Sequence, residues 1–372
     1  MSDDTGPEAD RVTGAPHPRE TEVLFGQASA EQDFLTAVNS HRLHHGWLIT
    51  GPIGVGKATL AWRMARFLLA TPLDGGAGLF GDPVPHTNLD ISPEHPVAHR
   101  LLARSEPGMF SITRSVNEKT GKLRDKIVVD DVRGLAHFLT MSSADGGRRV
   151  VIVDSADEMN VNAANALLKM LEEPPVRTTM MLISHQPSRL LPTIRSRCRE
   201  LRLHPLPPED MHNALTQAGF EAAESPALAE LAAGSVGEAL RILQSDGLAL
   251  YAELVALFAS DQGFDRQRAL NLANAAVGPA NADRYELLLT LIDLFLMRLA
   301  RTGALGQPPT VEAAPHEAQI LMRLSPHTQK ARAWAAAAQE ISDRTQHGKA
   351  VNLDPAALVL DTVFKIHQTA IS

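Results

Sequence analysis

A short apolar segment, Trp47-Leu-Ile-Thr50, runs straight into Gly51-Pro52-Ile-Gly54-Val-Gly56-Lys57-Ala58-Thr59. From Ala58 to Ala70 the apolar residues then recur at helical spacing. Strand, glycine-rich loop and helix in that order make a phosphate cradle. The glycines let backbone N–H groups turn inward, and the helix N-terminus adds its dipole. Lys57 is placed to reach β- and γ-phosphates. The next position breaks the pattern, because Ala58 stands where a Ser or Thr hydroxyl would bind Mg²⁺. Thr59 offers a hydroxyl to an outer phosphate oxygen.

A second element of the same site follows about a hundred residues later. Val150-Val-Ile-Val-Asp154 is a continuous apolar run, as a buried parallel strand requires, and it ends on a carboxylate in the Walker B position. Ser155 occupies the place where many ATPases carry the glutamate that activates water. The two positions most needed for hydrolysis are therefore vacated. Asp157 and Glu158 are the nearby carboxylates that could be proposed as a displaced acid. The better reading puts them on the loop opening the next helix, where acids complement its dipole.

Around these motifs strands alternate with helices. Met109 to Thr113, Ile127 to Val129, Met180 to Ile183 and Arg199 to Leu203 read as strands. Asp130 is an expected N-cap for a helix to Leu139. Asn162 to Glu173 reads as a helix stopped by Pro174 and Pro175. Residues 71–107 read as an irregular insertion and 119–122 as a turn. From about Pro208 no strand is expected: short amphipathic helices fill 209–243, and 247–372 reads as helical with loops at 261–265 and 302–316. The fold class is thus α/β, with a mainly parallel sheet, followed by an all-α region. Residues 1–16 are acidic and polar and read as a disordered tail.

Composition excludes several classes. A net charge of −8 over 372 residues does not suit a free-standing nucleic-acid binder. A single cysteine, Cys198, rules out an internal disulfide and fits a cytoplasmic setting. No membrane segment is expected: the most apolar late stretch, Leu287 to Met297, is too short and contains Asp293. The histidines lack metal-ligand spacing, so no metal is predicted. Arg195, Arg197 and Arg199 place three arginines in five residues. Such a run is ordinarily a solvated face, but an arginine is also the usual finger for charge developing on a γ-phosphate.

Three segments carry a family resemblance. They are Leu43-His44-His45-Gly46-Trp47-Leu48, Asn165-Ala-Leu-Leu-Lys-Met-Leu-Glu-Glu-Pro-Pro175, and Leu190-Leu-Pro-Thr-Ile-Arg-Ser196-Arg197-Cys198. With the P-loop they resemble the bacterial clamp-loader subunits of the AAA+ class, over residues 20 to 245. The vacated Ala58 and Ser155 positions point within that family to the non-motor, delta-prime class of DNA polymerase III. The resemblance implies an AAA+ P-loop domain at 17–207, a helical lid at 208–246 and a C-terminal helical collar for oligomerisation at 247–372. It implies partners: motor subunits of gamma/tau type and the delta subunit, with the sliding clamp and primed DNA reached through the complex. It makes Arg197 an arginine finger acting in trans. The chain's own pocket, Gly51, Pro52, Gly54, Gly56, Lys57, Ala58, Thr59 and Asp154, is then either vestigial or a holder of ATP or ADP without hydrolysis.

Two departures stand out. The four-cysteine zinc module of many relatives is missing from 71–107, and the sensor 2 arginine position falls on Gly237, with Arg241 one turn later. The alternatives are an autonomous AAA+ ATPase motor, disfavoured by Ala58 and Ser155, and a P-loop phosphotransferase, which leaves the Ser-Arg-Cys segment unexplained.

Overall fold

The computed structural model describes residues 8–72, 85–140, 147–220, 225–259, 264–275 and 282–372. Two units are distinguishable, one ending at residue 221 and one beginning at 222.

In the first unit the apolar runs become strands of one parallel sheet. They are β1 (Gly46–Thr50), β2 (Met109–Ile112), β3 (Arg149–Val153), β4 (Thr178–Ser184) and β5 (Arg199–Arg202). Their spatial order is β2-β3-β4-β1-β5, with every neighbouring pair parallel. Every residue of β1 and β4 is buried, which is why both read as unbroken apolar runs rather than alternating ones.

The connecting helices are α1 (Ala28–Asn39), α2 (Lys57–Ala70), α3 (Pro96–Leu102), α4 (Val129–Thr140), α5 (Val161–Glu172), α6 (Pro192–Arg195) and α7 (Pro208–Gln217). Val132 and Leu135 of α4 and Leu167 and Leu171 of α5 cluster with Leu48, Val151, Val153, Met180 and Leu182 from one sheet face. Phe34 of α1 meets Trp47 edge-on, with ring centroids 5.2 Å apart. Successive strand residues point to opposite faces, so Trp47 and Leu48 divide these two helical layers between them. The expected α/β domain with a parallel sheet, followed by helices, is the fold observed.

The second unit is helical in its described residues: α8 (Pro226–Ala232), α9 (Val236–Gln244), α10 (Gly247–Ala256), α11 (Arg266–Ala275), α12 (Ala282–Leu305), α13 (Glu317–Leu324), α14 (Thr328–Ala350) and α15 (Pro355–Ile371). Phe295, Leu296 and Leu299 of α12 and Trp334 of α14 are wholly buried. Among them sits a polar cluster. Glu317, with no exposed surface, takes Arg298 on both oxygens at 2.7 and 3.0 Å and accepts from the Tyr251 hydroxyl at 2.6 Å. Arg298 also reaches Glu230 of α8 at 2.6 Å. Burial and the Glu317 carboxylate both raise the Tyr251 hydroxyl far above its ordinary pKa.

Several expectations need correction. Ile127 to Val129 is not a strand: Ile127 makes one isolated parallel bridge with Met159, and Val129 already begins α4. Asp130 is not the cap. It lies inside the first turn, and Asp131 instead accepts from the Val128 N–H at 2.8 Å. The insertion at 71–107 contains α3, started by Pro96 at its first position with the His95 ring accepting from Val97 N–H. Residues 73–84 of it lie outside the described residues. The helix expected to end before 302 runs on to Leu305.

Residues 8–16, read as part of a disordered tail, carry ordered contacts. Ala15 is buried, and Asp10 lies 3.0 Å from Nε2 of the buried His17, whose ring packs edge-on to Trp62. Trp62 lies on α2, far along the chain, so no local pattern announces the packing of His17. Residues 1–7 of that tail fall outside the described residues. Among the described residues, no helix is long and apolar enough to cross a membrane.

Candidate functional site

The strand order assembles the site. β4 lies between β1 and β3, so the residues after β4 fall between the P-loop, which follows β1, and Asp154, which follows β3. A crevice at the carboxyl ends of parallel strands is where α/β sheets bind ligands.

The P-loop glycines are required by contact as well as by conformation. Gly56 has φ +96°, and a Cβ there would meet Leu24 Cδ1 at 2.6 Å. Gly51 has φ +143°, and a Cβ there would meet the Leu203 carbonyl at 2.6 Å. Gly56 caps α2 without a side-chain hydrogen bond, which leaves the first-turn N–H groups for a ligand oxygen. Lys57 is 3% exposed and donates to the Gly51 carbonyl at 2.8 Å and to the Pro52 carbonyl. Burial lowers its ammonium to about 8, with Asp154 and Asp157 opposing.

Asp154 is pushed up to about 7, first by burial and then by the carboxylate of Asp10, with Lys57 opposing. Ser155 is in the left-handed region at φ +59°, and its Oγ pairs with His185 Nε2 at 3.2 Å. His185 follows β4. Burial and the Lys57 cation lower it to about 4, so it is neutral at pH 7. Its Nδ1 is buried with no hydrogen-bond partner among the described residues. The glycine cradle, the uncapped α2 and this orphaned nitrogen fit a phosphate group. The donor set fits Mg²⁺ poorly, since Ala58 brings no oxygen. Among the described residues no group of three or more His, Cys, Asp or Glu could hold a metal ion.

Asp157 has a structural task. Its two oxygens accept from the backbone N–H groups of His185 and Gln186, each at 3.0 Å, and so fix the end of β4. Glu158 pairs with Arg114 at 2.9 Å. Both carboxylates are thus engaged in structural contacts, Asp157 with the end of β4 and Glu158 with Arg114.

Sequence reasoning missed Gln27 and His185. Gln27 is 2% exposed, and its side-chain amide donates to the Val55 carbonyl at 3.2 Å and to the His204 carbonyl at 2.7 Å. It accepts from the His204 N–H at 3.2 Å. One amide thus ties the P-loop to the segment after β5. A lone glutamine before a helix gives no signal for this, since its partner lies 177 positions away. His185 could have been found as the polar residue ending an apolar run beside Asp154.

Arg197 stands at the other end of the sheet. The register Trp47↔Arg199 to Thr50↔Arg202 sets it level with the residues just before β1. Its Nη2 lies 2.7 Å from Glu172, and its Nη1 donates to the Thr193 carbonyl at 3.0 Å. Arg199 lies over the Trp47 ring, 5.2 Å from its centroid. Burial raises the Cys198 thiol to about 11, which suits a packed side chain rather than a nucleophile. Arg241 pairs with Glu238 of its own helix at 3.1 Å.

Comparison with known proteins agrees with the motifs. A family model described as DNA polymerase III, delta subunit, matches residues 26–207. The delta' subunit of Pseudomonas aeruginosa DNA polymerase III is 44% identical over 154 residues, which is 41% of each chain. That of Escherichia coli is 34% identical over 222 residues, 58% of this chain and 60% of the relative. The gamma/tau subunit of Mycobacterium tuberculosis is 29% identical over 194 residues, 52% of this chain and 30% of that one. The matches therefore span about half the length of the delta' relatives and rather less of the gamma/tau chain. Over its P-loop domain the chain is similar to DNA polymerase III delta' subunits; the three motif segments had implied a clamp-loader subunit.

Proposed function

We propose that this chain is a delta-prime-type subunit of a clamp loader, which lends Arg197 to a neighbouring motor subunit and does not hydrolyse ATP itself. The observation that carries the reading is the strand register. Arg197 precedes β5 at the level of His45, while the P-loop follows β1 at Gly51. Six residues of extended strand separate those levels, about 20 Å at 3.3 Å per residue. A guanidinium there cannot serve its own P-loop, so as a finger it acts on another chain.

The chain's own site supports the same reading. Ala58 supplies no Mg²⁺ ligand, and Ser155 is paired with a neutral histidine rather than replaced by a free carboxylate. Lys57 and the glycine cradle suit ATP or ADP held without turnover. The partners are then gamma/tau-type motor subunits and delta, in the cytoplasm, with clamp and primed DNA met through the complex. Residues 208–246 supply the lid and 247–372 the collar on this reading.

The test is reconstitution with the motor and delta subunits. Arg197→Ala should leave the chain folded and assembled while lowering clamp- and DNA-stimulated ATP hydrolysis. Such fingers contribute roughly 10³–10⁵ in rate at the site they serve; total turnover should fall less, because other sites keep their own. Arg197→Lys should rescue poorly, since an ammonium lacks the planar fork. Unchanged turnover and loading with Arg197→Ala would refute the finger. Robust ATP hydrolysis by the isolated chain would favour an autonomous motor instead.

A further inference from the structure

Arg197 is anchored from two sides, and one anchor comes from a different element. Thr193, whose carbonyl accepts from Nη1, lies four residues back in the same turn. Glu172, which meets Nη2, is the last residue of α5. Both stand on fixed backbone. The Arg197 N–H donates to the Ile194 carbonyl at 3.1 Å. A Cβ built on Gly46 would meet the Arg197 carbonyl at 3.0 Å, so β1 packs directly against this turn. Leu171, next to Glu172, is 1% exposed, and its carbonyl lies 3.1 Å from His45 Nε2.

A guanidinium has five N–H donors. The two anchors use one on each terminal nitrogen, leaving Nε–H and the second hydrogen of each. A long, rotamer-rich side chain is thereby oriented before any partner arrives. We propose that Glu172 is a positioning residue that aims Arg197 at a neighbour's phosphate; this rests on Arg197 acting in trans. The opposite role would be a latch that withholds the arginine. The magnitude decides against it. Both side chains are more than a third exposed, and an exposed ion pair shifts an equilibrium by no more than about five-fold. A polyphosphate with several negative charges outcompetes one such carboxylate.

The test uses the reconstituted complex with clamp, primed DNA and ATP, comparing Glu172→Ala, Glu172→Gln, Arg197→Ala and the double variant Glu172→Ala with Arg197→Ala. Glu172→Ala should lower stimulated turnover by about 2- to 5-fold, part of the way to the Arg197→Ala rate. The loss should fall on kcat, with KM for ATP and assembly by gel filtration unchanged. Glu172→Gln, which keeps an oxygen acceptor, should retain most of the rate. The double variant should match Arg197→Ala alone. An unchanged or raised rate with Glu172→Ala overturns the proposal, as does an equal loss on the Arg197→Ala background. If Arg197→Ala itself is without effect, the trans finger fails, and that result is distinct from a failure of Glu172 alone.

Discussion

At the residue scale, three groups around the P-loop have been moved toward neutrality, each first by burial. Lys57 is lowered to about 8, Asp154 raised to about 7 and His185 lowered to about 4. The consequences for stability have opposite signs. Asp154 is protonated more readily in the folded chain than in the unfolded one, so its presence costs stability as pH rises from 3.8 toward 7. His185 resists protonation in the folded chain, so it costs stability as pH falls from 6.5 toward 4. Asp154→Asn should therefore gain on the parent as pH rises through that window, and His185→Asn as pH falls through its own. Melting temperatures at several pH values would check both; parallel curves for parent and variants would remove the assignment. Lys57→Ala should abolish retention of a fluorescent ATP analogue while clamp loading by the complex continues. Loss of loading in an assembled complex would make this nucleotide a working part.

At the scale of elements, polar residues placed where helices begin and cross carry much of the specificity. Asn160 caps α5, accepting from the Ala163 N–H at 2.8 Å. Asn160→Ala should cost about 1 kcal/mol in chemical denaturation. In the helical unit, Glu317→Ala would take from a guanidinium that is 5% exposed the carboxylate it meets through two nitrogens, leaving Glu230 as its carboxylate partner. Removing one partner of a buried pair typically costs about 3–5 kcal/mol. Replacing Glu317 and Arg298 together by Leu and Met should recover much of it, since two apolar groups leave no buried charge unpaired. A single-variant loss below about 1 kcal/mol would mean that water reaches the site and solvates the arginine.

At the scale of the whole molecule, a net charge of −8 sets an expectation for nucleic acid. The isolated chain should not retain primed DNA at physiological salt, because non-specific affinity comes from neutralised phosphates. Retention should appear only with the partner subunits. Tight, salt-sensitive binding by the chain alone would point to a basic face strong enough to overcome the overall balance. The isolated chain should also turn over ATP at the background rate.

Arg197 was singled out only by the family resemblance, whereas the alternation of apolar runs with amphipathic helices was enough to place the five strands within a residue or two, with the glycine-rich loop and Asp154 at the ends of two of them. Those are local properties: a buried parallel strand must be apolar throughout, and a phosphate loop must be rich in glycine. The one false strand, at Ile127, failed because apolar β-branched residues also suit a single bridge followed by a capped helix. Tertiary structure alone decided the rest. Gln27 meets His204, Asp157 fixes the end of β4, Ser155 meets His185, and Glu172 meets Arg197. Each is a hydrogen bond or ion pair between residues distant in the chain, made by a polar side chain whose partner depends on strand order. In the helical unit the Arg298–Glu317 pair likewise joins two helices, α12 and α13. An apolar side chain is buried by its type, whichever neighbours cover it. A polar one is buried only where the fold brings its partner, and no pattern along the chain records that meeting.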